Sequence, residues 1–292
     1  MTFNDLAEKL KGGKKPVIAV VAPTGENVYS ALAEVEKDGL CSFLLVGSEE
    51  LINKETGEYG LKSFAVLPSD KPADDAVSAV LEGKAHVLMK GKVDTSVFMK
   101  AVLNRKNELM KSSLLSHVLV AETREGRLLG VTDGGMVINP DLQQKAAITQ
   151  NAIDVFNNLG ISNPKAAVLT AMERVNPSIP ASLDGALLAK MAERGQISGG
   201  IVDGPLAIDL ALSKRACEIK GINGPIQGDA DILVVPDMNT GNIFGKSLIL
   251  CAGFSSGGII AGASFPIIML SRADQASEKK NSIILALAAA GV

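Results

Sequence analysis

A serine and an arginine, Ser271 and Arg272, directly follow the apolar run PIIML at residues 266–270. An arginine presents a fixed fork of hydrogen-bond donors to phosphate or carboxylate, and it keeps its charge near neutral pH. The Ser271 hydroxyl could donate to a developing oxyanion, or it could simply cap the end of a strand. Asp274 could pair with Arg272 and hold its guanidinium in place. These residue types predict an anion site, although spacing alone leaves the structural alternatives open.

The surrounding pattern indicates which elements would position these residues. PIIML is typical of a buried parallel strand, and SIILALAAA at residues 282–290 is typical of the apolar face of a closing helix. Ser271 and Arg272 would then lie at the carboxyl end of a strand, the edge where α/β proteins usually bind ligands. Ordinary polar turns occur at this edge too. Four more predicted strands end in candidate ligand residues: Lys90 and Gly91, Thr132 and Asp133, Asp203 with Gly204 and Pro205, and residues 237–241.

The order of apolar and helical patterns predicts an α/β fold. Hydrophobic residues make up 47% of the 292 residues, whereas aromatic residues make up 3%. An aliphatic core of this kind suits parallel sheets covered by helices. Strand-like runs such as PVIAVVAP and CSFLLVG alternate with helical patterns, so we predict a three-layer α/β/α sandwich with mostly parallel sheets. SHVLVAETREGRLLGVTDGG at residues 116–135 predicts an antiparallel hairpin, and the length fits two domains.

Composition and charge argue against several classes of protein. Lys and Arg number 29 against 32 Asp and Glu, so no basic excess favours nucleic acid as a partner. The three cysteines, Cys41, Cys217 and Cys251, form neither a disulfide framework nor a CxxC site, which fits a reducing cytoplasm. The N-terminal segment lacks the order of a signal peptide. Residues 247–270 carry no charge, but CAGFSSGG interrupts them, so we expect buried elements and no membrane span.

The motifs of phosphate-binding loops, dinucleotide-binding sites, serine triads and zinc enzymes are incomplete or absent in the sequence. TGNIFGKS at residues 240–247 is one residue short of the phosphate-binding pattern GxxxxGK[ST], so Lys246 is either an anion contact or a helix-surface lysine. The dinucleotide-binding pattern GxGxxG does not follow any predicted strand with an acidic residue at the expected later distance. A Rossmann dinucleotide site is therefore only weakly supported. His86 and His117 are the two histidines, each beside an apolar strand, and no GxSxG or HExxH accompanies them. We therefore expect neither a serine triad nor a zinc enzyme.

Five segments resemble the phosphate acetyl and butyryl transferase family, and within it the butyryl branch. They are VLMKGKVDTSVFMKAVLNR from Val87, LSHVLVAE from Leu115, VDGPLAIDLALS from Val202, GDADILVVPDMNTGNIFGKSL from Gly228 and AGASFPIIMLSRAD from Ala261. The resemblance implies a two-domain fold like that of isopropylmalate dehydrogenase. Domain I would comprise residues 1–135 continued by 262–292, and domain II residues 136–261. A homodimer or a multiple of dimers is implied as well, with coenzyme A and the acyl group held in a cleft between the domains.

The reaction implied by the resemblance is reversible: acyl-CoA and phosphate give an acyl phosphate and free CoA, with no metal and no tightly bound cofactor. Arg272 would clamp phosphate, and Ser271 would donate to the oxyanion or the sulfur. Glu278, or the nearer Asp274, would be the base that takes the thiol proton in reverse. A cysteine nucleophile is not required, so direct transfer in a ternary complex is expected. Candidate phosphate or CoA contacts are Lys90, Gly91, Thr95, Lys100, Thr132, Asp133, Asp203, Gly204, Pro205, Asp209, Asn239, Gly241, Asn242 and Lys246.

Other functions stay open at this point. The acyl preference could be for acetyl, butyryl or a branched group, because one methylene changes discrimination by only about 1 to 3 kcal/mol. A metal-dependent decarboxylating dehydrogenase would share the predicted fold and could use Asp203, Asp209 and Asp231, although these do not gather on one element. A protein that binds a small anion without chemistry would share most of the pattern. The glycine-rich FSSGG at residues 254–258 departs from what the resemblance predicts, and it has no functional interpretation.

Overall fold

The computed structural model describes residues 1–12, 15–269 and 275–291. By internal packing the chain divides into two compact units. The first unit comprises Met1–Lys111 and Ser256–Val292, and the second comprises Ser112–Ser255. The domain boundaries that we predicted near Met136 and Gly262 stay predictions.

Strands and helices alternate along most of the chain. The strands are β1 (Val17–Val21), β2 (Ser42–Gly47), β3 (Phe64–Pro68), β4 (Val87–Lys90), β5 (Ser116–Glu122), β6 (Leu128–Thr132), β7 (Lys165–Leu169), β8 (Ile201–Leu206), β9 (Ile232–Val234), β10 (Ser255–Ala261) and β11 (Ile267–Ile268). The helices are α1 (Phe3–Leu10), α2 (Glu26–Lys37), α3 (Glu49–Tyr59), α4 (Pro72–Leu81), α5 (Thr95–Asn104), α6 (Lys106–Leu109), α7 (Leu142–Asn158), α8 (Pro180–Glu193), α9 (Ile208–Leu212), α10 (Lys214–Lys220), α11 (Met238–Leu250) and α12 (Ala276–Ala290).

The first unit contains strands in the order β3-β2-β1-β4-β11-β10. Strands β1, β2, β3, β4 and β11 run parallel to one another, whereas β10 is antiparallel to β11. The side chains of β1 and β4 are almost all buried, as expected of strands covered on both faces. Gly257 of β10 approaches α12 so closely that a Cβ there would lie 2.7 Å from the backbone nitrogen of Ser282. This approach gives one glycine of FSSGG a structural reason.

The second unit contains strands in the order β5-β6-β9-β7-β8. β5 and β6 form an antiparallel hairpin, and β6, β9, β7 and β8 are parallel. The four parallel strands therefore end at one edge. Helix α7 begins with a capping box in which the Asp141 carboxylate accepts the N–H of Gln144 at 2.8 Å. Buried aliphatic residues such as Leu129, Leu206, Leu210 and Leu233 form one core cluster of the unit.

The predicted α/β fold with mostly parallel sheets flanked by helices is confirmed, and so is the hairpin. The further likeness to isopropylmalate dehydrogenase stays a prediction. Two details differ. Among the described residues of PIIML, which are 266–269, Ile267 and Ile268 form β11. Both pair with β4, and Ile267 also pairs with Ile260 of β10. Residues 240–247, compared above with a phosphate-binding loop, lie within α11.

The described part of the uncharged stretch, residues 247–269, is divided among several elements. It contains the end of α11, a turn, β10 and β11. No helix in the described part of the chain is sufficiently long and apolar to cross a membrane.

Candidate functional site

Three of the four predicted catalytic residues, Ser271, Arg272 and Asp274, lie outside the described residues. The fourth, Glu278, is in the first turn of α12 and is half-buried. Its Oε2 accepts a hydrogen bond from the backbone N–H of Gln275 at 2.7 Å. This bond completes a capping box at the start of the helix. Glu278 thus has a structural role that we did not predict, and its catalytic role stays a prediction.

The loop after β6 is organised around the carboxylate of Asp133. Its Oδ1 accepts the backbone N–H groups of Gly135 at 2.7 Å and Met136 at 3.0 Å, and Oδ2 accepts that of Val137 at 3.1 Å. The buried Thr132 hydroxyl donates to the backbone carbonyl oxygen of residue 117 at 2.8 Å. Both side chains shape the loop, and their contact with phosphate or CoA stays a prediction.

The start of α11 lies against this loop. Asp237 caps the helix, and Asn242 Nδ2 donates to the Gly134 carbonyl oxygen at 3.1 Å. A Cβ on Gly241 would lie 2.8 Å from the Cα of Gly134, so glycine is required for this approach. The structure therefore brings together four predicted site residues: Thr132, Asp133, Gly241 and Asn242. Two other predicted contacts on α11 are exposed: Asn239 and Lys246.

An imidazole lies next to the same loop. A Cβ on Gly135 would lie 3.3 Å from Cγ of the His117 ring. The Nδ1 atom of His117 is buried and has no hydrogen-bond partner among the described residues. Burial lowers the pKa of His117, and the negative charge of Asp133 opposes that change without overcoming it. No short motif contains both His117 and Asp133, and the predicted β5–β6 hairpin is what brings their two segments together.

In the first unit, the predicted contacts lie at the end of β4 and on α5. Lys90 is half-buried, and its Nζ donates to the Gly91 carbonyl oxygen at 3.3 Å. A Cβ on Gly91 would lie 2.3 Å from the Val21 carbonyl oxygen, so glycine is required where the ends of β1 and β4 meet. Thr95 begins α5, and both Thr95 and Lys100 are exposed. Ligand contact by these four residues stays a prediction.

The VDGP segment in β8 allows close packing against α8. A Cβ on Gly185 would lie 2.8 Å from the Cα of Pro205, and one on Gly204 would lie 2.9 Å from the Cβ of Val168. The Oδ1 atom of Asp203 accepts the N–H of Gly204 at 2.9 Å. Packing therefore accounts for the Gly-Pro pair in this motif, while contact with ligand stays a prediction.

A cavity of about 670 Å³ lies at the carboxyl ends of β7, β8 and β9. Its lining is mostly apolar, and Asp209 is a predicted site residue that lines it. The Asp209 Oδ2 lies 3.0 Å from Lys220 Nζ. The hydrogen bond from Lys220 lowers the pKa of Asp209. Sequence reasoning missed this cavity because its walls come from separate segments, and no short pattern joins them.

The described residues do not gather the ligands that a metal-dependent dehydrogenase would need. Asp231 accepts the backbone N–H of Lys165 at 2.9 Å, whereas Asp209 is paired with Lys220. Within residues 1–12, 15–269 and 275–291, no three His, Cys, Asp or Glu side chains are grouped so that they could hold a metal ion. The aspartates named in the dehydrogenase alternative thus have separate partners.

Comparison with known proteins agrees with the sequence resemblance. Residues 65–287 match the family described as Phosphate acetyl/butaryl transferase. The phosphate butyryltransferase of Clostridium acetobutylicum is 39% identical over 99% of this chain and 98% of its own. The phosphate acetyltransferase of Thermotoga maritima is 37% identical over 98% of each chain. A solved structure, the branched-chain phosphotransacylase from Enterococcus faecalis V583, is similar with a TM-score of 0.84 and 31% identity over 94% of this chain and 99% of that chain.

The match to the clostridial enzyme spans nearly the whole chain, and the family match at residues 65–287 includes the segments on which the resemblance was based. The chain belongs to the phosphate acetyl/butyryl transferase family and is a phosphate acyltransferase.

Proposed function

We propose that the chain transfers a butyryl group reversibly, so that butyryl-CoA and phosphate give butyryl phosphate and CoA. The observation that carries this proposal is the identity with the clostridial phosphate butyryltransferase along nearly all of both chains. The acyl group is the finer part of the proposal, because a relative of comparable identity is named for acetyl transfer.

The chemistry requires three kinds of group. In the forward direction a phosphate oxygen attacks the thioester carbonyl carbon, and the C–S bond breaks after the C–O bond forms. The carbonyl oxygen becomes an oxyanion in the tetrahedral intermediate, and the sulfur leaves as a thiolate that takes up a proton. In reverse, the CoA thiol loses that proton before its sulfur attacks the acyl phosphate. A cation for phosphate, a donor for the oxyanion and a group that exchanges the proton are therefore needed.

Residues near the C-terminal helix are our candidates for these roles. Arg272 holds phosphate through its guanidinium fork, and Ser271 donates to the oxyanion or the sulfur. Glu278 or Asp274 exchanges the proton with sulfur. Lys90 is a further cation for phosphate, and its half-buried position at the end of β4 would make its charge act more strongly than a surface charge.

The remaining candidates are binding residues. Lys100 and Lys246 are exposed cations that suit the phosphates of CoA. The loop shaped by Asp133 and the start of α11 support backbone and amide contacts with CoA, because Gly134 and Asn242 are already held together there.

A branched acyl group is the second candidate substrate. The name of the Enterococcus faecalis structure supports this alternative. A pocket that accepts butyryl discriminates against a chain shorter by one methylene by only about 1 to 3 kcal/mol, so neighbouring acyl groups should react measurably.

The test is phosphate-dependent release of free thiol from a series of acyl-CoAs in the presence of EDTA. The series runs from acetyl to hexanoyl and includes isobutyryl and isovaleryl. We expect the highest kcat/KM with butyryl-CoA and a loss of at least about a hundredfold in Arg272→Ala and Ser271→Ala. Exposed Cys251 adds at most a stoichiometric background to the thiol signal. An acetyl or branched-chain maximum would replace the butyryl assignment, and no phosphate-dependent release from any acyl-CoA would overturn the proposal.

We further propose that the chain forms a homodimer or a multiple of dimers. Leu183 and Leu187 lie one turn apart on α8, and both are exposed. Exposed large apolar side chains support an interaction surface. Light scattering should give a multiple of twice the 30.3 kDa chain mass, whereas a concentration-independent mass of one chain would contradict this.

A further inference from the structure

The connection between α10 and β9 has an asparagine followed by a glycine at its tip. Asn223 is exposed and Gly224 is half-buried, in a segment that is neither helix nor strand. Among the described residues, neither the Asn223 side chain nor the Gly224 backbone nitrogen has a hydrogen-bond partner. The fold therefore does not hold the Asn223 amide away from the Gly224 nitrogen. We call residues 222–226 the Asn223 loop.

The Asn223 loop is held at both ends and is free at its tip. The backbone N–H of Ile222 donates to a carbonyl oxygen of α10 at 3.0 Å. Ile226 at the other end is fully buried and belongs to the core cluster of the second unit. Between these ends, the Gly224 carbonyl oxygen accepts a hydrogen bond from Gln227 Nε2 at 3.1 Å. Exposed loop tips with small and polar residues are where chemical and conformational change concentrates.

An asparagine followed by a glycine favours one covalent reaction. Gly224 has no Cβ, so its backbone adopts conformations that other residues avoid, and its nitrogen is not shielded. That nitrogen can attack the side-chain carbonyl carbon of Asn223. The new C–N bond closes a succinimide ring, the amide C–N bond breaks, and ammonia leaves with the proton of the attacking N–H. Water then opens the ring at either carbonyl, which gives aspartate or isoaspartate.

The other asparagines near this segment lack the same combination. Asn239 and Asn242 are exposed, but both lie in α11. The nitrogen that would attack Asn239 belongs to Thr240, and its N–H donates to Asp237 at 2.9 Å. The Asn242 side chain donates to the loop after β6 and precedes the β-branched Ile243. Three further asparagines precede proline, whose nitrogen carries no hydrogen: Asn139, Asn163 and Asn176.

We propose that Asn223 is a site of spontaneous deamidation, at which the Gly224 nitrogen displaces ammonia and water then yields a mixture of aspartate and isoaspartate. The modification does not depend on the acyl group that the enzyme transfers. It changes a contact with β8, because a Cβ on Gly224 would lie 2.7 Å from Asp203 Oδ2. Isoaspartate adds one atom to the main chain between the two fixed ends of the loop. This product therefore moves Gly224 from its place beside Asp203.

Incubation of the purified protein in mildly alkaline buffer, followed by tryptic digestion and mass spectrometry, tests the site. Residues 221–246 form one tryptic peptide that contains Asn223, Asn239 and Asn242. We expect Asn223 to deamidate at least about tenfold faster than the other two, because the helix holds the backbone that follows them. A sample taken before incubation gives the background from digestion. Comparable rates at the three asparagines, or an unmodified Asn223 in the incubated protein, would overturn the proposal.

Two variants test the chemistry of the step. Gly224→Ala should slow deamidation at residue 223 by at least about tenfold, because the Cβ restricts and shields the attacking nitrogen. The added Cβ would come within 3.4 Å of only the flexible end of the Asp203 side chain, so the variant should fold. Asn223→Gln is the second variant, and it should not form the five-membered ring. Unchanged ammonia release in both variants, with deamidation still assigned to residue 223, would contradict attack by the Gly224 nitrogen.

A third variant separates the new charge from the longer main chain. Asn223→Asp carries the charge without isoaspartate, and it should unfold at nearly the same temperature as fresh wild type, because an exposed charge is screened by water and salt. Incubated wild type should accept methyl groups from an isoaspartate-specific methyltransferase and unfold at a lower temperature. Incubated Gly224→Ala should do neither. Incubated wild type that contains isoaspartate but unfolds as the fresh protein does would contradict the displacement of Gly224.

Discussion

Gly241, in the first turn of α11, lies directly on the backbone of Asp133: a Cβ at Gly241 would be 2.7 Å from the Asp133 carbonyl oxygen. The helix and the loop after β6 are therefore held together by backbone contact, without intervening side chains. The approach is closer than real Cβ atoms allow, so any side chain at residue 241 must push the helix away from the loop.

Gly241→Ala should therefore destabilise the protein by about 1 to 3 kcal/mol in urea unfolding. The acyltransferase activity should fall as well, because the loop and Asn242 would lose their register. Gly57→Ala is the control, since Gly57 also lies in a helix but has open space around its Cα. That variant should be more stable than wild type by about 0.5 to 1 kcal/mol. Equal effects at the two glycines would contradict the close contact.

Asp133→Asn should loosen the same loop. The Asp133 carboxylate accepts three backbone N–H groups, whereas an amide has one accepting oxygen and a donor that would face an N–H. We expect a loss of about 1 to 3 kcal/mol in the free energy of unfolding and a lower kcat/KM. Asp237→Asn is the matched control at a neighbouring position, because asparagine caps helices as well as aspartate does. A neutral Asp133→Asn would show that the three hydrogen bonds contribute little.

Substitution of Glu278 separates catalysis from helix capping. Glutamine preserves the capping box with the Gln275 N–H but cannot act as a base, whereas alanine removes both functions. If Glu278 exchanges the thiol proton, both Glu278→Gln and Glu278→Ala should lower kcat by at least about a hundredfold. A Gln variant with wild-type kcat and melting temperature would assign the base to another residue, with Asp274→Asn as the next variant to measure.

His117, a half-buried residue whose Nδ1 atom is fully buried, should make stability depend on pH. Its pKa is lowered in the folded protein, so the unfolded chain binds more protons between the folded pKa and about 6.5. The free energy of unfolding should consequently fall as the pH drops below about 6.5, and the fall should stop below the folded pKa. His117→Gln lacks this contribution. Urea unfolding at several pH values from 5 to 8 should show a wild-type-minus-variant difference that shrinks on acidification, and a constant difference would contradict the pKa direction.

An ion pair between a buried lysine and a half-buried aspartate joins α7 to α8. Lys145 Nζ lies 2.6 Å from Asp184 Oδ2, and the Lys145 side chain is only 8% exposed. Asp184→Asn leaves this lysine buried without a carboxylate, so we expect a loss of about 3 kcal/mol in the free energy of unfolding. Replacing both partners, as Lys145→Met with Asp184→Leu, should recover much of that loss, because no charge then remains buried. A single variant within about 0.5 kcal/mol of wild type would rule out a strong pair.

The fold was largely predictable because its signals are local. Continuous apolar runs such as VIAVV predict buried parallel strands, and the run with REGR between two alternating segments predicts the β5–β6 hairpin. The position of β11 in the sheet was not predictable, since Ile267 and Ile268 pair with β4, which lies far away in sequence. Residues 240–247 lie in a helix that is capped by Asp237 and begins at Met238. The capping residue precedes the motif that was compared with a phosphate-binding loop, so the motif alone did not indicate a helix.

The candidate site was predictable only in part. Glycines at positions 91, 204 and 241 stood out as possible ligand contacts, but the structure shows that each permits a close approach between elements. Such a requirement is invisible in the sequence because the second element is not adjacent along the chain.

The discontinuity of the first unit affects the order in which the chain folds during synthesis. Strand β11 lies between β4 and β10, and α12 packs on α1 and α2, so residues 1–111 must wait for the segment after Ser255 to emerge. Residues 112–255 form the second unit without a break and can fold earlier, because domains generally fold as units during translation. Until the C-terminal segment arrives, β4 has an unpaired edge that is open to aggregation and to holdase chaperones.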